Sequence, residues 1–330
     1  MNHLEFISHQ LMIIIGIFMY IFGTIGNLLN IYVFYIWSRS KKHTRKSSNS
    51  YRTSNSSLYL LTASIGNLIL ILYPLLTRII FDGFQYSVTS NTVAILCRIR
   101  YYILHTSDLM SITCICMATF DRYLISSRKA RLRRLSTTKK RTKQTIFIIT
   151  CLYSLHSIPL AYFFDVSGTG QCSISSRTYL YYYLWTFQII LRGLLPISFL
   201  TIVCLLTFKQ LNKNKRVKYN GHLSREKQFS RMLLLISLAI VLSSIPYCIE
   251  HIYYVMISDN RSDQSSLTYF YHVISSILFY TNAVTSFYIF YISTPNFRAQ
   301  VQRLIYSQRN LHHRTSKQIK IIVIERNSRI

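Results

Sequence analysis

The stretch CRIRYYILHTSDLMSITCICMATFDRY, residues 97–123, decides the fold of this chain. It begins at Cys97, ends in Asp121-Arg122-Tyr123, and carries few charges between these ends. The 25 positions from Cys97 to Arg122 make about 37 Å of α-helix. That length exceeds the roughly 30 Å of hydrocarbon in a bilayer, so the stretch predicts a membrane-spanning helix.

Two further apolar runs precede this stretch and four follow it. Each is long enough to cross a bilayer, whereas the helices of a soluble bundle would need polar faces that these runs lack. The first run follows no basic residue and is longer than the apolar core of a signal peptide, so we expect it to remain in the protein. The sequence predicts an all-α membrane protein, a seven-transmembrane helix bundle. The seven runs are 11–37, 58–81, 97–121, 144–164, 179–208, 232–257 and 267–292.

The net charge of +28, from 38 basic and 10 acidic residues, would by itself suggest a nucleic-acid binder. Its distribution indicates a membrane topology instead. Loops rich in Lys and Arg stay on the cytoplasmic side, where they attract the anionic lipids of the inner leaflet. We therefore predict a multi-pass plasma-membrane protein with an extracellular N-terminus, a cytoplasmic C-terminus and no nucleic-acid partner. Four alternate segments hold 32 of the 38 basic residues: 38–57, 122–143, 209–231 and 293–330.

This topology divides the chain into an extracellular N-terminus (1–10), a seven-transmembrane domain (11–292) and a cytoplasmic surface helix and tail (293–330). Thr294-Pro295 is typical of a helix start, because threonine caps the first turn and proline suits the first helical position. The apolar face that follows predicts a short amphipathic helix lying on the membrane surface. That face consists of Phe297, Val301, Leu304 and Ile305.

The cysteines suggest one disulfide. Cys97 lies at the outer end of its predicted span, and Cys172 is the only cysteine in a predicted outer loop. Two cysteines that face an oxidising space can form a bridge. We expect a Cys97–Cys172 disulfide that ties this loop across the third helix.

Together these features resemble the rhodopsin-like (class A) family of G-protein-coupled receptors. The main mark is Asp121-Arg122-Tyr123 at the inner end of the third of seven spans, 25 residues after a cysteine that matches the family disulfide. The resemblance implies a receptor that activates a heterotrimeric G protein through this triplet. Further marks are Gly26-Asn27, the helix-kink prolines Pro196 and Pro246, and Phe297-Arg298 after the seventh span.

Several positions depart from the family pattern. Asn67 stands where the second span usually carries an aspartate, although Ser111 and Asn282 would still line that site. Ser244 replaces the usual tryptophan before Pro246. Without the aspartate we expect agonist binding to be only weakly sensitive to sodium, and the altered residues put the usual switching mechanism in doubt. The segment 286–290 (SFYIF) also lacks the family's proline and closing tyrosine.

Three charged residues fall in the outer half of the predicted bundle: Asp108, Arg192 and Glu250. A charge at such depth should face the interior and find a partner, and the sequence leaves open whether Arg192 pairs with Asp108 or Glu250. One interpretation is a ligand pocket in which Arg192 binds a carboxylate or carbonyl and an acid binds a cation. The other is an internal salt bridge that only fixes helix packing. Further candidates for the ligand site are His105, Gln188 and Tyr280.

Two residues that other members of this family use to bind their ligands are absent, and their absence narrows the class of ligand. Tyr280 stands where opsins carry their retinal lysine, and Leu104 where amine receptors carry an aspartate. The resemblance therefore points away from opsins and monoamine receptors. A polar, large and aromatic-rimmed pocket favours a peptide ligand, and we expect a neuropeptide. We expect no cofactor and no metal site. Asn260-Arg261-Ser262 is a candidate glycosylation site in an outer loop.

Two alternative functions remain. A transporter or channel with a polar pocket in the outer half would be expected to show inverted repeats or interrupted helices. An intramembrane enzyme would need paired catalytic groups at one depth, and Asp108 with Glu250 is a thin basis for that. We therefore expect a receptor and not an enzyme.

Overall fold

The computed structural model describes residues 3–39, 50–85, 90–127, 131–132, 135–136, 138–166, 172–213, 221–258 and 266–306. Seven of its helices are long and apolar enough to cross a membrane, and each overlaps one predicted run. The predicted seven-transmembrane helix bundle is confirmed. We call the end of the bundle that carries Cys97 the outer end and the end that carries Arg122 the inner end.

The spans are numbered α1 to α7, and the helix after them is α8. Consecutive helical segments without a break are treated as one span. Their bounds are α1 His3–Arg39, α2 Ser50–Leu70 with its continuation through Ile79–Gly83, α3 Ser90–Ser126, α4 Lys139–His156 with Ile158–Phe163, α5 Arg177–Tyr182 with Tyr183–Leu194 and Leu195–Lys213, α6 Gly221–Ser258, α7 Ser266–Ser293 and α8, residues 295–306.

Parts of α2 and α5 are wound as π-helix. In α2 the segment Ile71–Leu75 contains Pro74, and in α5 the segment Tyr183–Leu194 lies directly before Pro196. Proline has no N–H to donate and its ring crowds the preceding turn. At the end of the α5 segment, the N–H of Leu195 accordingly bonds to the carbonyl of Ile190, five residues back. Pro246 lies inside the continuous helix α6, and the predicted kinks at Pro196 and Pro246 stay predictions.

The third span is the centre of the bundle. It packs against α2, α4, α5 and α6, and most of its side chains are buried. By contrast α4 lies at the edge, with most of its apolar side chains facing outward. The residues of α3 are therefore the ones that several other spans can contact at once.

A small hairpin covers the outer end of α3. Strands β1, Phe164–Val166, and β2, Cys172–Ile174, pair antiparallel between α4 and α5. The predicted disulfide is present and joins Cys97 to Cys172, with a Cα–Cα distance of 5.9 Å. The Arg98 side chain also holds the hairpin, because its Nη2 lies 3.0 Å from Oδ2 of Asp165.

Aromatic packing attaches α8 to the inner end. The ring of Phe34 in α1 lies 5.1 Å from that of Phe290 and 5.8 Å from that of Phe297, centroid to centroid. Phe297 and Val301 are buried, whereas Ile305 is exposed. The backbone N–H of Arg298 donates to the carbonyl of Thr294. This bond forms the first turn of α8, at the position predicted from the sequence.

The close contact of α1 with α7 depends on a glycine. A Cβ atom on Gly26 would lie 2.9 Å from Cβ of Phe287, closer than real Cβ atoms approach. Because α1 and α7 approach so closely here, Nδ2 of the neighbouring Asn27 can donate a hydrogen bond to the carbonyl of Ala283 at 2.9 Å. The predicted Gly26-Asn27 mark therefore has a structural reason in this chain.

Candidate functional site

A buried ion pair joins α3 to α5 in the outer half of the bundle. Nε of Arg192 lies 3.2 Å from Oδ2 of Asp108, and the two residues are only 3 % and 7 % exposed. Charges at this depth are costly unless they are paired. The sequence left open whether Arg192 pairs with Asp108 or with Glu250, and in the structure its partner is Asp108.

Two aromatic rings extend this contact to α6 and α7. The guanidinium carbon of Arg192 lies 3.6 Å from the ring centroid of Phe279 and 4.3 Å from that of Tyr247. At these distances the ring faces attract a cation. Nη1 of Arg192 has no hydrogen-bond partner among the residues that the structure describes. Arg192 thus contacts three other spans and keeps donor capacity unused.

A second polar contact between α3 and α5 lies close by. The hydroxyl of Tyr183 lies 2.9 Å from Nε2 of His105 and accepts a hydrogen bond from Nε2 of Gln188 at 2.6 Å. All three residues are buried. The carbonyl oxygen of the Gln188 side chain has no hydrogen-bond partner within the described ranges.

The π-helical winding of α5 explains why Tyr183 was not among the sequence candidates. In an α-helix, which turns about 100° per residue, Tyr183 and Gln188 would lie about 140° apart. A π-helix bonds residue i to residue i+5 and winds more widely, which places the two side chains on one face. The proline after this segment is the one sequence signal that could have indicated the altered winding.

Glu250 lies in a different contact, between α6 and α7. Its Oε1 is 2.9 Å from Nδ1 of His272, and its Oε2 accepts a hydrogen bond from the Ser275 hydroxyl at 3.2 Å. Nε2 of His272 also contacts Nη2 of Arg78 in α2. Because arginine can only donate, His272 accepts through Nε2 and donates to Glu250 through Nδ1. His272 of α7 therefore links α2 to α6.

The network continues to α1 at the outer end. Arg78 pairs with Asp82, with 2.8 Å between Nε and Oδ2. The backbone carbonyl of Asp82 accepts hydrogen bonds from the Tyr269 hydroxyl at 3.2 Å and from Nδ1 of His9 at 2.6 Å. Arg78 was not among the sequence candidates, although a basic residue inside a span is a sequence signal for such a network.

The six predicted ligand-binding residues therefore lie in two neighbouring groups. Four of them join α3 to α5: Asp108, Arg192, His105 and Gln188. The other two, Glu250 and Tyr280, lie where α6 and α7 meet α2 and α3. Tyr280 is 1 % exposed, and its hydroxyl has no hydrogen-bond partner in the described part of the chain. Their role in ligand binding stays a prediction.

At the inner end Asp121 is held by hydroxyl groups. Its Oδ2 accepts from Ser56 of α2 at 2.5 Å, and its Oδ1 accepts from Ser136 at 2.9 Å. The neighbouring Arg122 is 2 % exposed. The predicted coupling triplet is thus largely buried, and only Tyr123 is half-buried.

The altered family positions in the middle of the bundle form neutral contacts. Oδ1 of Asn67 accepts a hydrogen bond from the Ser111 hydroxyl at 2.6 Å, and both residues are buried. An amide in place of a carboxylate leaves no negative charge on this position for a cation. The predicted glycosylation site at Asn260 and the tail after residue 306 lie outside the described residues.

Comparison with known proteins adds one match. A family model described as "7 transmembrane receptor (rhodopsin family)" matches residues 29–286, more than three quarters of the chain. No curated protein matches the chain. The matched range contains every predicted ligand-binding residue and the triplet Asp121-Arg122-Tyr123.

Proposed function

The chain belongs to the rhodopsin family of seven-transmembrane receptors, and on this premise we propose that it binds an extracellular peptide in the outer half of the bundle. The bound peptide activates a heterotrimeric G protein at the inner end. Members of this family are multi-pass receptors of the plasma membrane and not enzymes, which agrees with the prediction from the sequence. The asymmetry of the basic loops supports an outward-facing N-terminus.

The observation that carries this proposal is the set of contacts made by Arg192. One guanidinium group holds Asp108 of α3 and lies against Tyr247 of α6 and Phe279 of α7. A ligand group that binds Arg192 must compete with these contacts. Such a ligand therefore shifts α3, α5, α6 and α7 relative to one another. It binds one of two arrangements of these spans more tightly than the other, and so raises the population of that arrangement.

A peptide suits the chemistry of this region. Its backbone carbonyls match the unused donor of Arg192, and its N–H groups match the free carbonyl of the Gln188 side chain. A cationic group of the peptide can replace Arg192 or His272 beside the carboxylates of Asp108 and Glu250. Aromatic rings on α3, α5, α6 and α7 supply the apolar part of the surface.

At the inner end, release of Arg122 is the proposed output. Asp121 is restrained by the hydroxyls of Ser56 and Ser136, which ties the end of α3 to α2 and to the loop that follows. Movement of the spans that pack on α3 would loosen these bonds and expose Arg122 to the G protein. The transporter or channel alternative is not favoured, because the matched family consists of receptors.

The test is a guanine-nucleotide exchange assay on cells that express the chain at their surface, screened with a peptide library. We expect at least one peptide to raise exchange. We expect Arg192→Ala to lower its potency tenfold or more, because a hydrogen bond to a charged group is worth about 1.5–3 kcal/mol. Arg122→Gln should abolish exchange while the peptide still binds.

The matched control is Lys140→Gln, which removes an exposed basic residue from the inner side without touching the triplet. It should leave exchange nearly unchanged. Equal potency on wild type and Arg192→Ala, with equal surface expression, would remove Arg192 from the site. Full exchange by Arg122→Gln would contradict its proposed role in coupling.

A further inference from the structure

Apart from the exposed Arg177 at the first position of α5, the described outer halves of the spans contain four arginines. Three of them pair with an acid: Arg78 with Asp82, Arg98 with Asp165 and Arg192 with Asp108. The fourth, Arg100 of α3, makes no salt bridge within the described ranges of the chain, and it shares Asp82 with Arg78 only at longer range. Its charge is nevertheless buried, since the residue is 8 % exposed. A buried cation that no carboxylate contacts is costly for a fold, and in a membrane span it is a functional candidate. Here two arginines, Arg78 and Arg100, share the one carboxylate of Asp82.

The immediate neighbours of Arg100 in the described chain include no carboxylate. Its Nη2 lies 3.4 Å from the hydroxyl of Tyr101, which is long for a hydrogen bond. The guanidinium carbon is 5.1 Å from the centroid of the same ring, a contact worth about 0.5–2 kcal/mol. Both interactions are weaker than the ion pairs that hold the other three arginines.

A second unpartnered group lies nearby on α7. Tyr280 is fully buried and its hydroxyl has no hydrogen-bond partner among the residues described. Tyr280 packs in one buried apolar cluster with Leu75 of α2 and with Leu104 of α3, one helical turn from Arg100. The region where α2, α3 and α7 meet therefore combines surplus positive charge with a donor that nothing in the described chain uses.

We propose that Arg100, Tyr101 and Tyr280 form a subsite for a carboxylate of the ligand, such as the C-terminus of a peptide. Arginine donates paired hydrogen bonds that match a carboxylate, and the two phenol hydroxyls can each donate one more. Arg78 adds positive charge at the side of the subsite while it remains bound to Asp82. This inference rests on the proposed function, because it names the group by which the peptide is anchored.

The subsite is separate from the contact of Arg192. Arg192 already has the carboxylate of Asp108, so a ligand anion there must displace an internal one. Arg100 has no contacting carboxylate to displace, because Asp82 is bound to Arg78, and the ligand supplies a carboxylate in direct contact. The carboxylate end of the peptide therefore lies between α2, α3 and α7, and the rest of it extends toward α5 and α6.

The first test does not depend on signalling. The full-length chain is purified in detergent, and its melting temperature is measured with 3-phenylpropionate and with the neutral 3-phenylpropionamide. We expect the carboxylate to raise the melting temperature and the amide to have little effect at the same concentration. Equal effects of the two probes, or no effect of the carboxylate, would overturn the subsite.

Variants locate the carboxylate on Arg100. Arg100→Gln should lose the preference for carboxylate over amide, a loss of about tenfold or more in apparent affinity. Arg100→Lys should retain most of it because the positive charge remains. The matched control is Arg98→Gln, which removes a half-exposed arginine two positions away and should keep the preference. A preference that persists in Arg100→Gln contradicts the assignment.

The unliganded chain provides a separate readout. Because Arg100 is a buried charge that makes no salt bridge in the described chain, Arg100→Gln should raise the melting temperature of the ligand-free chain by a few degrees. Stabilisation on removal of a binding residue is the usual sign that function was kept at the expense of stability. A clear fall in the melting temperature would show that Arg100 holds the fold together and would overturn the proposal.

A last comparison separates the subsite from the proposed function. Peptides are synthesised with a free and with an amidated C-terminus and compared in the exchange assay, and palmitate serves as a lipid carboxylate. Higher potency of the free acids supports the subsite, and higher potency of the amides contradicts it. Activation by palmitate but by no peptide would overturn the peptide assignment. A carboxylate preference in melting without any exchange would refute the proposed signalling function and leave the subsite standing.

Discussion

The outer and inner halves of the bundle are held together by different chemistry. In the outer half, charged and polar side chains cross from one span to another, as Arg192 does to Asp108 and Glu250 does to His272. In the inner half, aromatic packing around Phe34 and Phe297 joins α1, α7 and α8. In the middle of the bundle the polar contacts are mostly between neutral groups, such as the hydrogen bond from the Ser111 hydroxyl to Asn67.

This difference indicates that the two halves of the bundle have different roles. An ion pair or hydrogen bond can be exchanged for an equivalent bond to a ligand, because the ligand brings the same kind of group. Interlocked aromatic rings have no such replacement and lose packing when they separate. The outer half is therefore suited to respond to a ligand, and the inner half keeps the spans in register.

The largest effect is expected from breaking the buried ion pair. Arg192→Gln leaves the carboxylate of Asp108 buried without its cation, which should destabilise the chain by about 3–5 kcal/mol. The measurement is the melting temperature of the purified chain without ligand. Asp108→Asn combined with Arg192→Gln should recover part of the loss, because no charge is then left unpaired. Simple additivity of the two single losses would show that the pair is not coupled.

A somewhat smaller loss is expected from the aromatic contact of the inner half. Phe297→Ala removes a fully buried ring between α1 and α7 and should cost about 3 kcal/mol through the cavity it leaves. The control is Ile305→Ala, in the same helix but exposed. If both variants melt alike, α8 does not contribute to the packing of the bundle. The loss should be insensitive to salt and pH, because no charged group takes part in this packing.

The smallest effect is expected from the hydroxyl that joins α3 to α5. Tyr183→Phe keeps the ring but removes the contacts to His105 and Gln188, at a cost of about 1 kcal/mol. Tyr181→Phe, which removes a hydroxyl from an exposed ring of the same span, is the control. A lower melting temperature for Tyr183→Phe than for Tyr181→Phe supports the contact. No difference between them would argue that the π-helical segment does not use this hydroxyl.

The sequence predicted the seven spans, the alternation of basic loops with loops poor in basic residues, and the disulfide. These features follow from apolar run length and from where basic residues and cysteines fall along the chain, so no knowledge of neighbouring helices is needed. The structure agrees with each run and joins Cys97 to Cys172. The triplet at the end of α3 was recognised for the same reason, because its position depends only on helix rise.

The partners of the buried charges could not be predicted in this way. Helix rise placed Asp108, Arg192 and Glu250 in the outer half, but rise says nothing about the direction in which a side chain points around its helix. The pairing of Arg192 with Asp108, and of Glu250 with His272, depends on that direction and on the spacing of the spans. Tyr183 was missed because a change from α- to π-winding rotates the residues that precede it.

By itself, then, the sequence determined that this chain crosses a membrane seven times with its basic loops on one side. Hydrophobic transfer and lipid charge act on each segment separately, so local composition is sufficient for that result. Only the tertiary structure decided which charges meet. It also decided that, within the described residues, Arg100 makes no salt bridge and the hydroxyl of Tyr280 has no hydrogen-bond partner. Pairing is a property of two or more helices together, and it depends on rotation and distance that no single segment encodes.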